Sequence, residues 1–256
     1  QSVCAKARVE DLVLANKLVR DGAMGSGTGL HFQSGAFKWK DMIAITVSDA
    51  SHANEEAIVK DAREPHRSQR GIMTLIGDAR ALTEETSPVH VISYSSTVIK
   101  RICRGTLQAE AYALQGGVEE TMKVRAAIVC MMGKLDINNW ESTAAASMRH
   151  VWMTDCKSLE EHLKNPTFSK CADKRLSIEI AALRQLLWMR LDGTIVDELD
   201  DACPDVVRWI DTSTMPSDCL TKYMKPDRLM DMMTTGILDL RATAQSLLIK
   251  MRKQKS

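Results

Sequence analysis

Residues 41–51 read DMIAITVSDAS. Ile43, Ile45 and Val47 alternate with Met42, Ala44 and Thr46, and all six suit a strand buried on both faces. The strand closes on Ser48-Asp49, so an acid stands at its end. A polar, charge-rich link follows, and then two more apolar runs, GIMTLIG (71–77) and PVHVISY (88–94). The short link between these two favours antiparallel pairing, which predicts a three-stranded meander.

Beyond the meander the periodicity changes. From Thr106 to about Gly133, Leu107, Ala111, Leu114, Val118 and Met122 recur at three and four residues, which predicts a helix. Glu110 lies on the same stripe, where an uncompensated carboxylate is costly to bury. The stretch 134–148 reads as a loop or a frayed helix end. HVWMTD (150–155) is a fourth strand and again ends in Asp. CKSLEEHLKNP (156–166) is a short helix stopped by Pro166, and DKRLSIEIAALRQLLWMRLDG (173–193) is an amphipathic helix. DVVRWID (205–211) is a fifth strand, MPSDCLTKYM (215–224) a short helix, and 227–256 a further helix with a basic end. This order predicts an α/β fold with a five-stranded mixed sheet, its first three strands antiparallel and helices on both faces.

The 256 residues are 45% hydrophobic and 26% charged with a net charge of +1, so no global basic excess points to nucleic acid. No apolar run is long enough to cross a bilayer, and the N-terminus lacks the layout of a signal peptide. Since the chain does not begin with Met, it reads as a segment of a longer protein. The seven cysteines form no CxxC pair and no zinc-finger spacing, so they read as reduced thiols in an intracellular protein. The glycine-rich stretch DGAMGSGTGL (21–30) follows a helix rather than a strand and contains no GK[ST], which makes it a connector rather than a phosphate loop.

Four acids therefore occupy special places. Asp49 ends the first strand and Asp155 the fourth, Glu110 sits on a buried helix face, and Asp218 lies in the first turn of a late helix. A helix crossing back over the sheet would make the first and fourth strands neighbours and set Asp49 beside Asp155. Such a carboxylate cluster repels itself unless cations neutralise it. Mg²⁺ prefers oxygen ligands, and two such ions can clamp a phosphoryl displacement.

The flanking motifs add a resemblance. SDASHAN (48–54), RSQRG (67–71), ISYSS (92–96), LQAEAYAL (107–114), MTDCKSL (153–159), LKNPTF (163–168), KRLSIEIAALRQLL (174–187) and PSDCLTKYM (216–224) resemble, in order over about 180 residues, the ribonuclease H domain of copia-type LTR retrotransposon polyproteins. The resemblance implies a ribonuclease H-like fold over residues 41–225. It implies that residues 1–40, with ANKLVR and GLHF, are the end of a preceding reverse transcriptase, and it leaves 226–256 as a helical basic tail. It implies endonucleolytic hydrolysis of the RNA strand of RNA–DNA hybrids, with Asp49, Glu110, Asp155 and Asp218 as both catalytic and metal-binding residues. The cofactor would be two Mg²⁺ ions, with Mn²⁺ as a substitute. The partners would be the hybrid and the reverse transcriptase of the same polyprotein, with no membrane, in a cytoplasmic retroelement particle or the nucleus.

A hybrid is held through phosphates and 2′-hydroxyls. Ser51, Asn54, Ser95, Ser96 and Gln108 are candidates for such contacts, and Lys170, Lys174 and Arg175 for the DNA backbone. His52 is close enough in sequence to the acids to move a proton. The chain departs from the family pattern at Ser51, His52 and Gln108, which replace an Asp, a Trp and a Glu. It also carries KRLS where the family has KHID, so substrate handling has drifted further than the acids. An inactive or domesticated module that binds nucleic acid or serves as a scaffold is the alternative. Integrases and transposases fit less well, because Asp155 follows Asp49 by 106 residues and no later acid repeats its context.

Overall fold

A computed structural model of the chain describes residues 9–24, 29–30, 32–53, 67–165, 167, 173–197 and 199–254. The elements run α1 (Val9–Met24), β1 (Met42–Ser51), β2 (Gln69–Asp78), α2 (Arg80–Thr83), β3 (Thr86–Val98), α3 (Thr106–Met131), α4 (Trp140–Ser147), β4 (His150–Thr154), α5 (Lys157–Lys164), α6 (Lys174–Leu187), β5 (Asp205–Trp209), α7 (Asp227–Thr235), β6 (Ile237–Asp239) and α8 (Arg241–Gln254).

The sheet order is β5-β4-β1-β2-β3-β6. β1, β2 and β3 pair antiparallel, while β4 is parallel to both β1 and β5. This is the mixed α/β sheet, its first three strands antiparallel, that the sequence order predicted, with one correction. Among the described residues the sheet has six strands, not five, because β6 adds to the edge of β3 through the pairs Thr86↔Asp239, Ser87↔Leu238 and Pro88↔Ile237. The continuous helix expected over 227–256 is therefore interrupted. α7 stops where Gly236 takes a left-handed conformation (φ 66°), which only glycine adopts without strain.

Strand alternation sorts the core into two layers. On one face Ile43, Ile45 and Val47 of β1 pack with Met73, Leu75, Val151 and Met153. Met215, Met232, Leu238 and Leu240 cover them. On the other face Trp152 and Val207 meet Ala111, Leu114 and Val118 of α3, Leu159 and Leu163 of α5, and Ile180, Leu183 and Leu187 of α6. α6 starts where the Asp173 side chain accepts hydrogen bonds from the Arg175 and Leu176 amides, satisfying donors that a helix start leaves open.

A buried polar network ties α3 to the sheet. Arg125 donates to Asp205 (2.8 Å), to the Met148 carbonyl (2.6 Å) and to the Ala145 carbonyl (3.2 Å). His150 takes a hydrogen bond on Nδ1 from Trp152 Nε1 (3.1 Å), which leaves Nε2 to donate to Thr46 Oγ1 (2.8 Å). Thr46, Thr74 and Thr121 complete the chain of contacts. Among the described residues, no helix is long and apolar enough to cross a membrane.

Candidate metal centre

β1 and β4 run side by side, and their last paired residues are Ser48↔Thr154. Asp49 and Asp155 each stand one step further on. Because the strands are parallel, both side chains leave the sheet on the same side. The third acid arrives from the chain after β5. There the Asp211 side chain caps a 3₁₀ turn, Thr212–Thr214, and Met215 and Ser217 are buried. The next turn, Asp218–Leu220, carries Asp218 in 3₁₀ rather than the expected α-helical geometry. One carboxylate oxygen each from Asp49, Asp155 and Asp218 lies within 4.8 Å of the other two.

Glu110, the fourth predicted ligand, is not one of this converging group of three. It sits on α3 and is 4% exposed. It accepts a hydrogen bond from the Ala50 backbone, while its buried Oε2 has no partner among the described residues. Burial, then the charges of Asp49 and Asp155, push its carboxyl up to about 9. Burial likewise raises Asp49 to about 6, with Asp155 and Asp218 adding to the rise and Thr221 and Lys222 opposing it. Asp155 is raised by burial and by Asp218, against a hydrogen bond from Thr212. Burial works against the charge on Lys222, but Asp218, Asp49 and Asp155 hold its ammonium above its ordinary value. The donors are all carboxylate oxygens, and one buried oxygen has nothing to bind. That set fits a hard divalent cation such as Mg²⁺.

No family model matches this chain, and no curated protein does. Solved structures with a similar chain trace include LC11-RNase H1, isolated from compost by a metagenomic approach (15% identity, TM-score 0.39, 74% of this chain and 99% of that one). Another is RNase H1 from the halophilic archaeon Halobacterium salinarum (12%, TM-score 0.36, 73% and 98%). A third is the foamy viral protease-reverse transcriptase in complex with an RNA/DNA hybrid (11%, TM-score 0.37, 78% of this chain and 22% of that one). The chemistry of the site rests on its own geometry.

The side chains that orient the acids come from positions with no sequence-assigned role. Thr221 Oγ1 donates to Asp49 Oδ2. Thr212 Oγ1 donates to Asp155 Oδ2 (2.9 Å), and Trp209 Nε1 to the Asp155 carbonyl (2.8 Å). Lys222 Nζ lies 2.5 Å from Asp218 Oδ1 and 3.7 Å from Asp49 Oδ1. Thr221 and Lys222 belong to the LTK part of the last motif, which was the available signal for them.

The expected substrate contacts are distributed as follows. Ser51 closes β1, two residues after Asp49; its buried hydroxyl and that of Ser95 have no partner among the described residues. Ser96 donates to the Leu220 carbonyl (2.5 Å). Gln108 is buried and accepts from the Arg104 amide (2.8 Å), so it braces the start of α3. Lys174 and Arg175 are exposed on the first turn of α6. That turn is drawn toward the loop before α3 by the ion pairs Arg104–Asp173 (3.8 Å) and Arg101–Glu179 (2.7 Å). His52 Nε2 meets the Cys103 carbonyl of the same loop (3.0 Å). Asn54 and Lys170 lie outside the described residues.

Proposed function

We propose that this chain is a metal-dependent ribonuclease that hydrolyses the RNA strand of an RNA–DNA hybrid. We further propose that it works as the ribonuclease H domain of a copia-type retroelement polyprotein, next to a reverse transcriptase whose end is residues 1–40. The observation that carries the reading is the convergence of Asp49, Asp155 and Asp218 within 4.8 Å, backed by the buried, unpartnered oxygen of Glu110.

Asp49, Glu110, Asp155 and Asp218 would hold the ions. Two Mg²⁺ ions, or Mn²⁺ in their place, would supply the charge neutralisation and water activation that phosphodiester hydrolysis requires. The chain's own groups prepare the site for them. Thr221 and Thr212 fix the carboxylate orientations of Asp49 and Asp155, and Lys222 balances part of their charge. Of the three serines, Ser96 is exposed on β3 and suits a 2′-hydroxyl or phosphate oxygen, whereas the hydroxyls of Ser51 and Ser95 are covered and would meet the hybrid only once uncovered. Lys174 and Arg175 suit the phosphates of the opposite strand. With Nε2 of His52 engaged by Cys103, proton transfer by this ring would run through Nδ1.

The test is incubation of the chain and Mg²⁺ with a hybrid labelled in its RNA strand, beside an Asp155→Asn variant. Cleavage by the wild type and none by the variant is expected. A folded wild-type protein that binds the hybrid but leaves it intact in both Mg²⁺ and Mn²⁺ would favour the non-catalytic module, for which the drift from KHID to KRLS is the motivating observation.

A further inference from the structure

Of the four acids, Asp218 has the slightest local support. It stands on a three-residue 3₁₀ turn rather than on a strand end or a long helix. The turn is held from below by β2. Gly71 pairs with Asp49 on one side and with Ser96 on the other, so the three residues form one row across β1, β2 and β3. The Asp218 turn lies over this row. A Cβ placed on Gly71 would sit 2.8 Å from Leu220 Cβ, 3.0 Å from the Ser217 carbonyl and 3.0 Å from Thr221 Cγ2. Two of these atoms are backbone or Cβ, so they can recede only if the turn moves with them. Gly71 is not among the positive-φ glycines, so space rather than backbone freedom is what demands glycine here. Ser96, at the end of the row, grips the turn through the Leu220 carbonyl, and Thr221 returns a hydrogen bond to Asp49.

We infer that Gly71 is a positioning residue of the metal centre: its bare α-carbon, with the Ser96 hydroxyl beside it, is the seat that sets the Asp218 carboxylate against Asp49 and Asp155. The inference rests on the metal-centre reading and adds a residue that bears no ligand atom. A methyl at position 71 lifts the turn and withdraws Asp218, while the strand-borne acids keep their places.

Two readouts test it without activity. Cys219 lies on the turn, half-buried, with its thiol against the Pro216 carbonyl (3.5 Å), so its rate of labelling by a maleimide, assigned by peptide mass, reports whether the turn is seated. Calorimetric titration with Mn²⁺ reports the site. Gly71→Ala is expected to speed Cys219 labelling and to weaken Mn²⁺ binding on the order of 10–100-fold, the usual effect of losing a group that orients a ligand. In an Asp218→Asn background the same substitution should weaken binding no further, since it acts through Asp218. Adding Leu220→Gly, which removes the nearest atom, should restore slow labelling and most of the affinity.

Wild-type labelling and affinity in Gly71→Ala would overturn the inference. So would an equal loss of affinity in the Asp218→Asn background, because Gly71 would then act through the sheet at large. If Gly71→Ala does not fold, Ser96→Ala loosens the same seat and must move both readouts in the same direction; no change refutes the seat. A wild-type chain that binds no divalent ion sinks the metal-centre reading, and Cys219 labelling then decides the seat alone, with faster labelling in Gly71→Ala supporting it and unchanged labelling overturning it.

Discussion

Glu110→Gln is expected to make the metal-free protein more stable and the metal-bound protein less so. The folded carboxyl is raised from 4.5 to about 9, with burial as the first cause and Asp49 and Asp155 next. A group raised on folding contributes stability below its unfolded value, and that stability is lost as pH climbs toward the folded one. At pH 7 the unfolded glutamate is ionised while the folded one must take up a proton. The gap of 7 − 4.5, at about 1.4 kcal/mol per pH unit, is a cost of about 3 kcal/mol. Glutamine avoids it, can keep the Ala50 hydrogen bond, and presents an amide donor to the neighbouring carboxylates. For a domain of this size the gain corresponds to roughly 6–12 °C in melting temperature. Thermal melts in EDTA at pH 4.5, 7 and 8 measure it. The gain should be near zero at pH 4.5, about 3 kcal/mol at pH 7 and larger again at pH 8, because the folded carboxyl keeps its proton up to about 9. Mg²⁺ at about a thousand times its dissociation constant should reverse the order, because it adds about 4.1 kcal/mol to the protein that holds it, more than glutamine gains. A variant no more stable than the wild type at pH 7–8, or a gain independent of pH, would refute the reasoning.

Two further expectations concern the buried network. Burial, opposed by Asp205, lowers the value of His150, so the unfolded chain binds a proton first and stability is lost as pH falls below about 6.5. Urea denaturation at pH 7 and 5 should show the wild type losing up to about 1.4 kcal/mol per pH unit relative to His150→Asn, and parallel curves would contradict this. Arg125→Met strips the buried Asp205 carboxylate of its partner and should cost about 3–5 kcal/mol. Arg125→Met/Asp205→Asn should cost less than Arg125→Met alone, and a cost equal to the sum of the two single changes would show that the pair is not coupled.

The parts of this fold that were legible in the sequence are those with a strong period. β1 is buried on both faces and reads as an unbroken apolar run. α3 repeats its apolar residues at three and four, which is also what makes Glu110 conspicuous. β6 was hidden because three residues carry no period. Its signal was Gly236, the left-handed stop after α7, followed by Leu238 and Leu240, which alternate into the core. The stretch 134–148 contains α4, whose only buried residue is one alanine, so no apolar stripe announced it. At the site, strand ends and a buried helix face pointed to the acids, whereas the residues that orient them did not stand out. Thr212, Thr221 and Gly71 act through contacts between segments far apart in sequence, and a glycine that matters for the space it leaves has no pattern of its own.

The most direct measurement of the central claim is the identity of the cut ends in the RNA strand of a hybrid. Hydrolysis at a divalent-metal centre built from Asp49, Glu110, Asp155 and Asp218 should leave 5′-phosphate and 3′-hydroxyl termini, should stop in EDTA, and should vanish in Asp49→Asn and in Asp155→Asn. Cleavage that persists in EDTA and leaves cyclic 2′,3′-phosphates, or that survives the loss of either aspartate, would contradict it.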